Sequence, residues 1–563
     1  MQVTGTWKSS PARGQSHELV ADQIDVLGAA DIEVNKQRMS LADIVLRKHG
    51  PCHAILLTLR AIIQNYPIQK KFQSVEFLRS LPHLRLRLPA NAVQARFRSQ
   101  CLAFVTRFLS STDYSSGHFV QVQPPVITSS DCEGAGEVFT VLPAADTTIS
   151  SSKQSNDAST KKPSFFKTAK YLSVSSQLHL EAYAAALGNV WALSPTFRAE
   201  KSDTSRHLAE FYMLEAEMSF VFSLHTLTGL VEHLIKSLVS DDAVRDQWQE
   251  LILALRASHG SSSQAGKVED LEGRWEVLQG EPWKQVSYSV CMARLVDAAA
   301  KNPSLFQHQP IPGSSLHLEH ERWIVEHVSR NRPIFVTDYP KAIKPFYMAP
   351  SELSRTRVGL ARESGEDVTN DDAAEVGEVE KDDRSKAGGE DGHQRQESVA
   401  CFDLLFPFGA GEIAGGSLRE HRLEHLIQNL RQNGMLRSGI DDTAPSASSS
   451  SSSSPSSHNS CTIPHKDDSN LFPSTSTAYP PPPPPATASA TTSATASTRP
   501  TYPHLTPYES LGPLKWYVDL RRHGTVPHGG FGIGWDRLLA YLTGVENLKD
   551  MVAFPRSYGK AEC

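Results

Sequence analysis

Two alternating segments on either side of a short polar loop constrain this chain more than any other feature. In Thr196-Phe197-Arg198-Ala199-Glu200, alternation puts Thr196, Arg198 and Glu200 on one face and Phe197 and Ala199 on the other. In the run Leu208–Met218, Tyr212, Leu214, Ala216 and Met218 make an apolar face suited to a core. Phe211, Met213, Glu215 and Glu217 take the opposite face. The polar segment Lys201–Arg206 lies between, so Val190–Phe220 is predicted to be a long antiparallel hairpin. Its open face presents Arg198, carboxylates and the ring of Phe211, and the loop adds Lys201, Arg206 and His207. A guanidinium, a cationic loop and a flat ring suit a nucleoside triphosphate, with charge for the phosphates and a ring for the base. On pattern alone, a solvated face laced with ion pairs competes evenly with that reading.

A second element repeats the theme. In Gly530–Leu542, Trp535, Leu538, Leu539 and Leu542 form a helical core stripe. Arg537 falls in the first turn, where the helix dipole disfavours a cation, so an anion beside it is expected. Gly532 and Gly534 remove side chains and allow close approach to the backbone. Elsewhere, Phe97, Cys101, Val105, Phe108 and Leu109 predict a helix over Gln94–Leu109. His118–Gln123 alternates and is ended by Pro124-Pro125; Val3–Trp7 and His17–Leu27 read as strands. Asn35–Lys71 is a weakly patterned helical stretch. Strands with interspersed helices and no regular βαβ alternation predict an α+β fold around an antiparallel sheet.

Several common chemistries are excluded. Gly260 and Gly266 are separated by five residues, and Lys267 is followed by Val268, so the stretch is no phosphate loop. Gly530-Phe531-Gly532-Ile533-Gly534 is not a dinucleotide fingerprint, and no GxSxG exists. His320-Glu321-Arg322-Trp323-Ile324 lacks the second histidine of a zinc protease. The seven cysteines are scattered without a CxxC pair, which argues against a disulfide framework or a zinc-thiolate site. The apolar run Ala54–Ile63 is broken by Arg60 and is too short to span a bilayer. Met1 runs directly into a strand-like segment, with no targeting peptide visible.

Charge needs to be read by segment. The chain of 563 residues has a formal net charge of −6, which at face value disfavours a nucleic-acid partner. Residues 361–398 hold 13 acids and 5 bases and no aromatic residue. Residues 441–500 hold the runs Ser448–Ser454 and Pro480–Pro485, with 4 acids and 2 bases. Both are expected to be disordered insertions, because they cannot bury enough apolar surface to offset chain entropy. They carry −10 of charge between them, which leaves the remainder at +4 and restores nucleic acid as a partner.

The hairpin and the Gly-rich element carry a family resemblance. Phe197-Arg198-Ala199-Glu200 with Arg206-His207-Leu208-Ala209-Glu210-Phe211 resembles motif 2 of class II aminoacyl-tRNA synthetases, and Gly532-Ile533-Gly534-Trp535-Asp536-Arg537 resembles motif 3. Val120–Pro125 resembles the dimer-forming motif 1. Asp131–Glu137, Gly411–Glu420 and Asp519–His528 resemble segments of the asparaginyl enzymes of bacterial and organellar type. The similarity runs from about Phe72 to Arg556, outside the insertions.

The resemblance implies a class II catalytic core over 91–563, an antiparallel sheet flanked by helices. It implies a partial OB-fold anticodon-binding domain over 1–33, since Val3–Leu27 resembles only the last portion of that barrel. Residues 34–90 would be an atypical insertion and hinge. The reaction would be activation of asparagine by ATP and transfer to the 3′ end of tRNA(Asn). Arg198 would hold the α-phosphate, Phe211 would stack on adenine, and Arg537 would cover its other face and reach the γ-phosphate. Arg206 and His207 would bind the outer phosphates and Glu200 the adenine amino group. Glu412 would hold Mg²⁺, with Asp403 a candidate second ligand, although Asp403 lies nine positions before Glu412, one more than in relatives.

For the amino acid, Glu133 and Gln177 would hold the ammonium group and Arg419 the side-chain carbonyl. Aspartyl relatives place a lysine where Leu180 sits. Leu180 with Glu181 supplies an acceptor and no added cation, so asparagine is expected over aspartate. The resemblance further implies a homodimer through motif 1, including Pro125, and a mitochondrial matrix enzyme, with the cytoplasm as the alternative location. The competing functions are a tRNA-independent asparagine synthetase relative and a catalytically weak or regulatory paralogue. Leu180 with Glu181 opposes the first, and the presence of Arg198, Phe211 and Arg537 opposes the second.

Overall fold

The structure is a computed structural model that describes residues 2–9, 17–25, 67–68, 73–111, 118–129, 138–143, 165–258, 265–351, 397–438 and 502–561. Glu133 and nearly all of the two expected insertions lie outside these residues. Glu397 and Ser398, at the end of the first insertion, are paired: the Lys341 amide donates to the Glu397 carbonyl at 2.8 Å, and Ser398 bridges Pro340.

Strands β1 (Gln2–Ser9) and β2 (His17–Asp25) form the antiparallel hairpin predicted for the N-terminus. Among the described residues no further strand joins it. The helix Pro89–Ser110 starts on a proline, whose missing N–H costs nothing in a first turn. Its expected stripe of Phe97, Cys101, Val105, Phe108 and Leu109 is buried. The predicted alternation over His118–Gln123 yields only the two-residue strand β3 (Val120–Gln121), because Pro124 and Pro125 cannot donate to a ladder. A separate short pair, β4 (Ile127–Thr128) and β5 (Tyr171–Leu172), follows.

Strands β6 (Val190–Phe197) and β7 (Glu210–Ser219) are the predicted hairpin, in the register Thr196 opposite Phe211. Later come β8 (Lys284–Ser287), β9 (Ile334–Thr337), β10 (Cys401–Phe406) and β11 (Gly411–Leu418). The pair β12 (Arg437–Ser438) and β13 (Glu509–Ser510) stands apart, and β14 (His528–Gly534) returns to the main sheet. The main sheet has the order β3-β6-β7-β14-β11-β10-β9-β8. Its six central strands are antiparallel, as expected, while the edge pairs β3–β6 and β8–β9 are parallel.

One sheet face is core. Leu214, Ala216 and Met218 of β7 pack with Phe402, Leu404, Phe531 and Ile533. Leu227, Val231, Leu234 and Ile235 of the helix Leu224–Ser240 and Leu538 and Leu539 of the helix Trp535–Thr543 join the same cluster. Where β14 faces Glu217, Glu215 and Met213 of β7 it carries only Gly530, Gly532 and Gly534; a Cβ on Gly530 would lie 2.0 Å from Glu217 Oε2 and 2.3 Å from the Ala216 carbonyl.

The chain divides into two compact units. Met1–His421 with Gly524–Cys563 holds the main sheet, and Arg422–His523 forms the other. The second contains the helices Leu423–Gln432 and Lys515–Arg522 and the β12–β13 pair. There the Arg431 guanidinium donates twice to the Glu509 carboxylate, at 2.7 and 2.9 Å. Among the described residues no helix is long and apolar enough to cross a membrane. Cys101, Cys291 and Cys401 are buried free thiols.

Candidate active site

The open face of β7, β14 and β11 floors a cavity of about 460 Å³. Phe211, Met213, Glu215 and Glu217 line it, as the alternation predicts. Arg198, just past β6, is fixed by its amide, which donates to the Ala209 carbonyl at 3.0 Å. Its guanidinium carbon lies 5.6 Å from the centre of the Phe211 ring, so cation and ring flank one space. Glu200 and His207 meet at 3.4 Å between carboxylate and Nε2. Arg206 reaches the β10–β11 turn, where it donates to the carbonyls of Gly409 (3.0 Å) and Ala410. Arg198, Glu200, Arg206, His207 and Phe211 all line the cavity.

Arg537 donates from Nη1 to the Glu412 carbonyl at 3.2 Å. The neighbouring Asp536, 1% exposed, accepts from the Tyr212 amide at 2.8 Å and from Arg98 of the helix Pro89–Ser110. The anion expected beside Arg537 is present in the protein itself as Glu412, on whose carboxyl the charge of Arg537 acts.

The spacing of Asp403 and Glu412 is resolved by a β-bulge. Leu404 pairs with Ala414 and Leu405 with Glu412, so Ile413 is skipped. Both carboxylates then converge: a Cβ on Gly415 would lie 3.5 Å from Asp403 Oδ1 and 3.5 Å from Glu412 Oε1. Burial first, then the charge of Asp403, pushes Glu412 above the ordinary carboxylate range, while Arg537, Lys344 and Arg198 oppose the rise. Asp403 accepts from Lys344 Nζ at 2.8 Å on both oxygens. A third carboxyl, Glu321 on the helix Leu318–His327, is pushed up to about 7 by burial and by Glu412. Glu321 and Lys344 are absent from the sequence-derived site. Glu321 sits in the segment set aside for lacking a second histidine, and Lys344 sits in a loop without periodicity.

Around Arg419 lies a buried charge network. Arg419 is 4% exposed and donates to Glu217 from Nε at 3.2 and 3.3 Å and from Nη2 at 3.0 Å, and to Ser417 Oγ at 2.6 Å. Gln177 lines the cavity and donates to Glu181 Oε1 at 3.2 Å. Glu181 Oε2 lies 3.0 Å from His528 Nε2. Glu181, expected to accept directly from the substrate amide, is 2% exposed and is not among the residues lining the cavity, whereas Gln177 and Leu180 are. Helix geometry explains this: Gln177 and Glu181 are one turn apart, and Gln177 is the outer of the two. Glu217 and His528 are the network members that sequence reasoning left out of the site. Pro125 is exposed, outside the cavity.

Residues 74–448 and 505–558 match the family model "tRNA synthetases class II (D, K and N)". The chain is 33% identical over 502 residues to the mitochondrial asparagine--tRNA ligase of Saccharomyces cerevisiae, covering 88% of this chain and 74% of that protein. It is 34% identical to the mitochondrial asparagine--tRNA ligase of Schizosaccharomyces pombe, with 88% and 75% covered. Desulfotalea psychrophila has an asparagine--tRNA ligase that is 30% identical, with 100% and 84% covered. Among solved structures, asparaginyl-tRNA synthetase from Pyrococcus horikoshii complexed with asparaginyl-adenylate superposes with a TM-score of 0.56 at 20% identity, covering 99% of this chain and 82% of that one. That likeness establishes the shared fold.

Proposed function

The chain belongs to the class II tRNA synthetases of the D, K and N group, and we propose on that footing that it is an asparagine--tRNA ligase. It activates asparagine with ATP to asparaginyl-adenylate, releases pyrophosphate and transfers asparagine to the 3′ end of tRNA(Asn). The observation that carries this reading is one cavity lined by Arg198, Phe211 and Arg537 together with Gln177, Leu180 and Arg419.

The substrate carboxylate attacks the α-phosphorus, so no side chain acts as nucleophile. Arg198 binds the α-phosphate and neutralises charge that builds up in the transition state. Phe211 stacks on adenine and Arg537 covers the opposite face. Arg206 and His207 meet the outer phosphates, and Glu200 accepts from the adenine amino group. Catalysis is then orientation plus charge neutralisation. Arg419 binds the side-chain carbonyl, Gln177 and Glu133 the ammonium group. Glu181 favours the neutral side-chain amide over a carboxylate through its negative charge.

Glu412 suits Mg²⁺. Its carboxylate is raised by burial and by Asp403, a strain that a divalent cation relieves. Among the described residues no set of three metal-type side chains gathers, which fits an ion held by one or two carboxylates and substrate phosphates. Such an ion, held by Glu412, would supply positive charge against the phosphates. The asparagine preference is checked by pyrophosphate exchange with each amino acid. Exchange is expected with asparagine and not with aspartate, and comparable rates would overturn the assignment. Glu181→Gln should weaken the preference. The protein is a homodimer through the Val120–Pro125 segment, so it should sediment at twice its 61.8 kDa chain mass. Fungal mitochondrial relatives support a mitochondrial location.

A further inference from the structure

Lys344 has no part in the reading above, yet it lines the same cavity. It follows the short helix Lys341–Ile343, and its ammonium group is 4.0 Å from the centre of the Tyr339 ring. It donates to both oxygens of Asp403, at 2.8 and 2.8 Å. Its side chain is 16% exposed and that of Asp403 is 18% exposed. The carboxylate it neutralises converges with Glu412 on Gly415. Two carboxylates that converge in this way in a poorly hydrated site repel strongly unless a cation lies between or beside them. Lys344 supplies that cation from the chain itself, at the Asp403 side. The ring below it favours the charged ammonium and limits where it can go. Arg537 and Arg198 act on the Glu412 side.

We propose that Lys344 is a positioning residue that serves as the built-in counter-ion of Asp403, so that a divalent cation can use Asp403 only by displacing the lysine. The inference rests on the ligase reading for the identity of the pocket, but not on the amino acid or the tRNA. It assigns the two carboxylates different states in the nucleotide-free protein: Asp403 is already compensated, while Glu412 is available. Metal is then taken up mainly with the nucleotide, whose phosphates supply the remaining oxygens. Without Lys344 the pair becomes an open two-carboxylate site that holds a divalent ion by itself.

The test is Mn²⁺ binding to the nucleotide-free full-length protein, read by the electron paramagnetic resonance signal of free Mn²⁺, with no substrate present. Lys344→Met should bind Mn²⁺ about tenfold or more tightly than the native protein, the scale on which outer-shell partners act but with the opposite sign, because the group removed is itself a cation competing for Asp403. Lys344→Arg should behave as native. The double variant Lys344→Met with Asp403→Asn should lose the gain. Lys344→Gln keeps a donor to Asp403 while removing the charge, and it should gain affinity in the same sense; it carries the test if the Met variant does not fold. Equal affinity in native, Lys344→Met and Lys344→Gln proteins overturns the proposal, as does a gain that survives Asp403→Asn. Failure of the ligase reading would show instead as absent asparagine-dependent pyrophosphate exchange, which the Mn²⁺ titration does not involve.

Discussion

At the residue scale, the amino-acid end of the cavity is governed by charges taken out of water. Glu217 and Arg419 are 1% and 4% exposed, and each is the other's main compensation. Burial pushes the Glu217 carboxyl up, and the Arg419 guanidinium pulls it down. Removing one member leaves the other buried and uncompensated. Arg419→Met is therefore expected to destabilise the protein by about 3–5 kcal/mol, seen as a lowered denaturant midpoint. The double variant with Glu217→Gln should recover much of that loss, because no lone charge remains. Asparagine binding should be lost in both, which separates the role in stability from the role in recognition.

At the element scale, strand alternation accounts for most of what was predicted correctly. The register of β6 and β7 puts Thr196 opposite Phe211 and leaves Arg198 beside the ring. Alternation fails at the β10–β11 pair, where the bulge at Ile413 resets the faces and brings Glu412 to Asp403. The Arg422–His523 unit shows how an ion pair ties a small element together. Hydrogen bonds from the Arg431 side chain first, and from the Thr506 backbone next, hold Glu509 down to about 2. A carboxylate lowered on folding adds stability above its ordinary range near 4.5, and that stability is lost as pH falls towards 2. Amide protection in Arg422–Ser438 and Tyr502–His523 should therefore drop between pH 6 and pH 3. In Glu509→Gln it should already be lower at pH 6 and fall less. Equal pH sensitivity in the two proteins would exclude this role.

At the scale of the whole molecule, the family-matched region is fastened end to end. Arg85 is 3% exposed and donates to the carbonyls of Lys549 (2.9 Å), Val552 and Ala553 (3.1 Å). Arg79 joins it, donating to Asp550 at 2.8 and 2.6 Å. The same C-terminal stretch meets the loop of the β6–β7 hairpin: the Leu548 amide donates to the Ser205 carbonyl at 2.9 Å, and Lys549 pairs with Asp203. Arg85→Met would orphan three carbonyls at about 1–3 kcal/mol each. A loss of about 3 kcal/mol or more is expected, with the C-terminal segment released first, as increased proteolysis after Leu548. A variant with native stability and native cleavage would remove Arg85 from this role.

The sequence by itself determined the hairpin, its two faces and the Gly-rich strand running into a helix, and so placed Arg198, Phe211 and Arg537 on those elements, whereas Glu412 was singled out by the family resemblance alone. Alternation and helical period are local, and each residue's neighbours along the chain suffice to express them. It also separated the charge of the two insertions from the rest, which kept a nucleic-acid partner in view. Only the tertiary structure decided which charges face one another. Lys344 meets Asp403 across 59 positions, and Arg419 meets Glu217 across 202. His528 and Glu181 are 347 apart. It also buried Glu181 and set Arg422–His523 off as its own unit. Such pairings depend on which strands become neighbours in the sheet and how deeply each group is desolvated. Neither quantity is encoded in the spacing of residues along one segment.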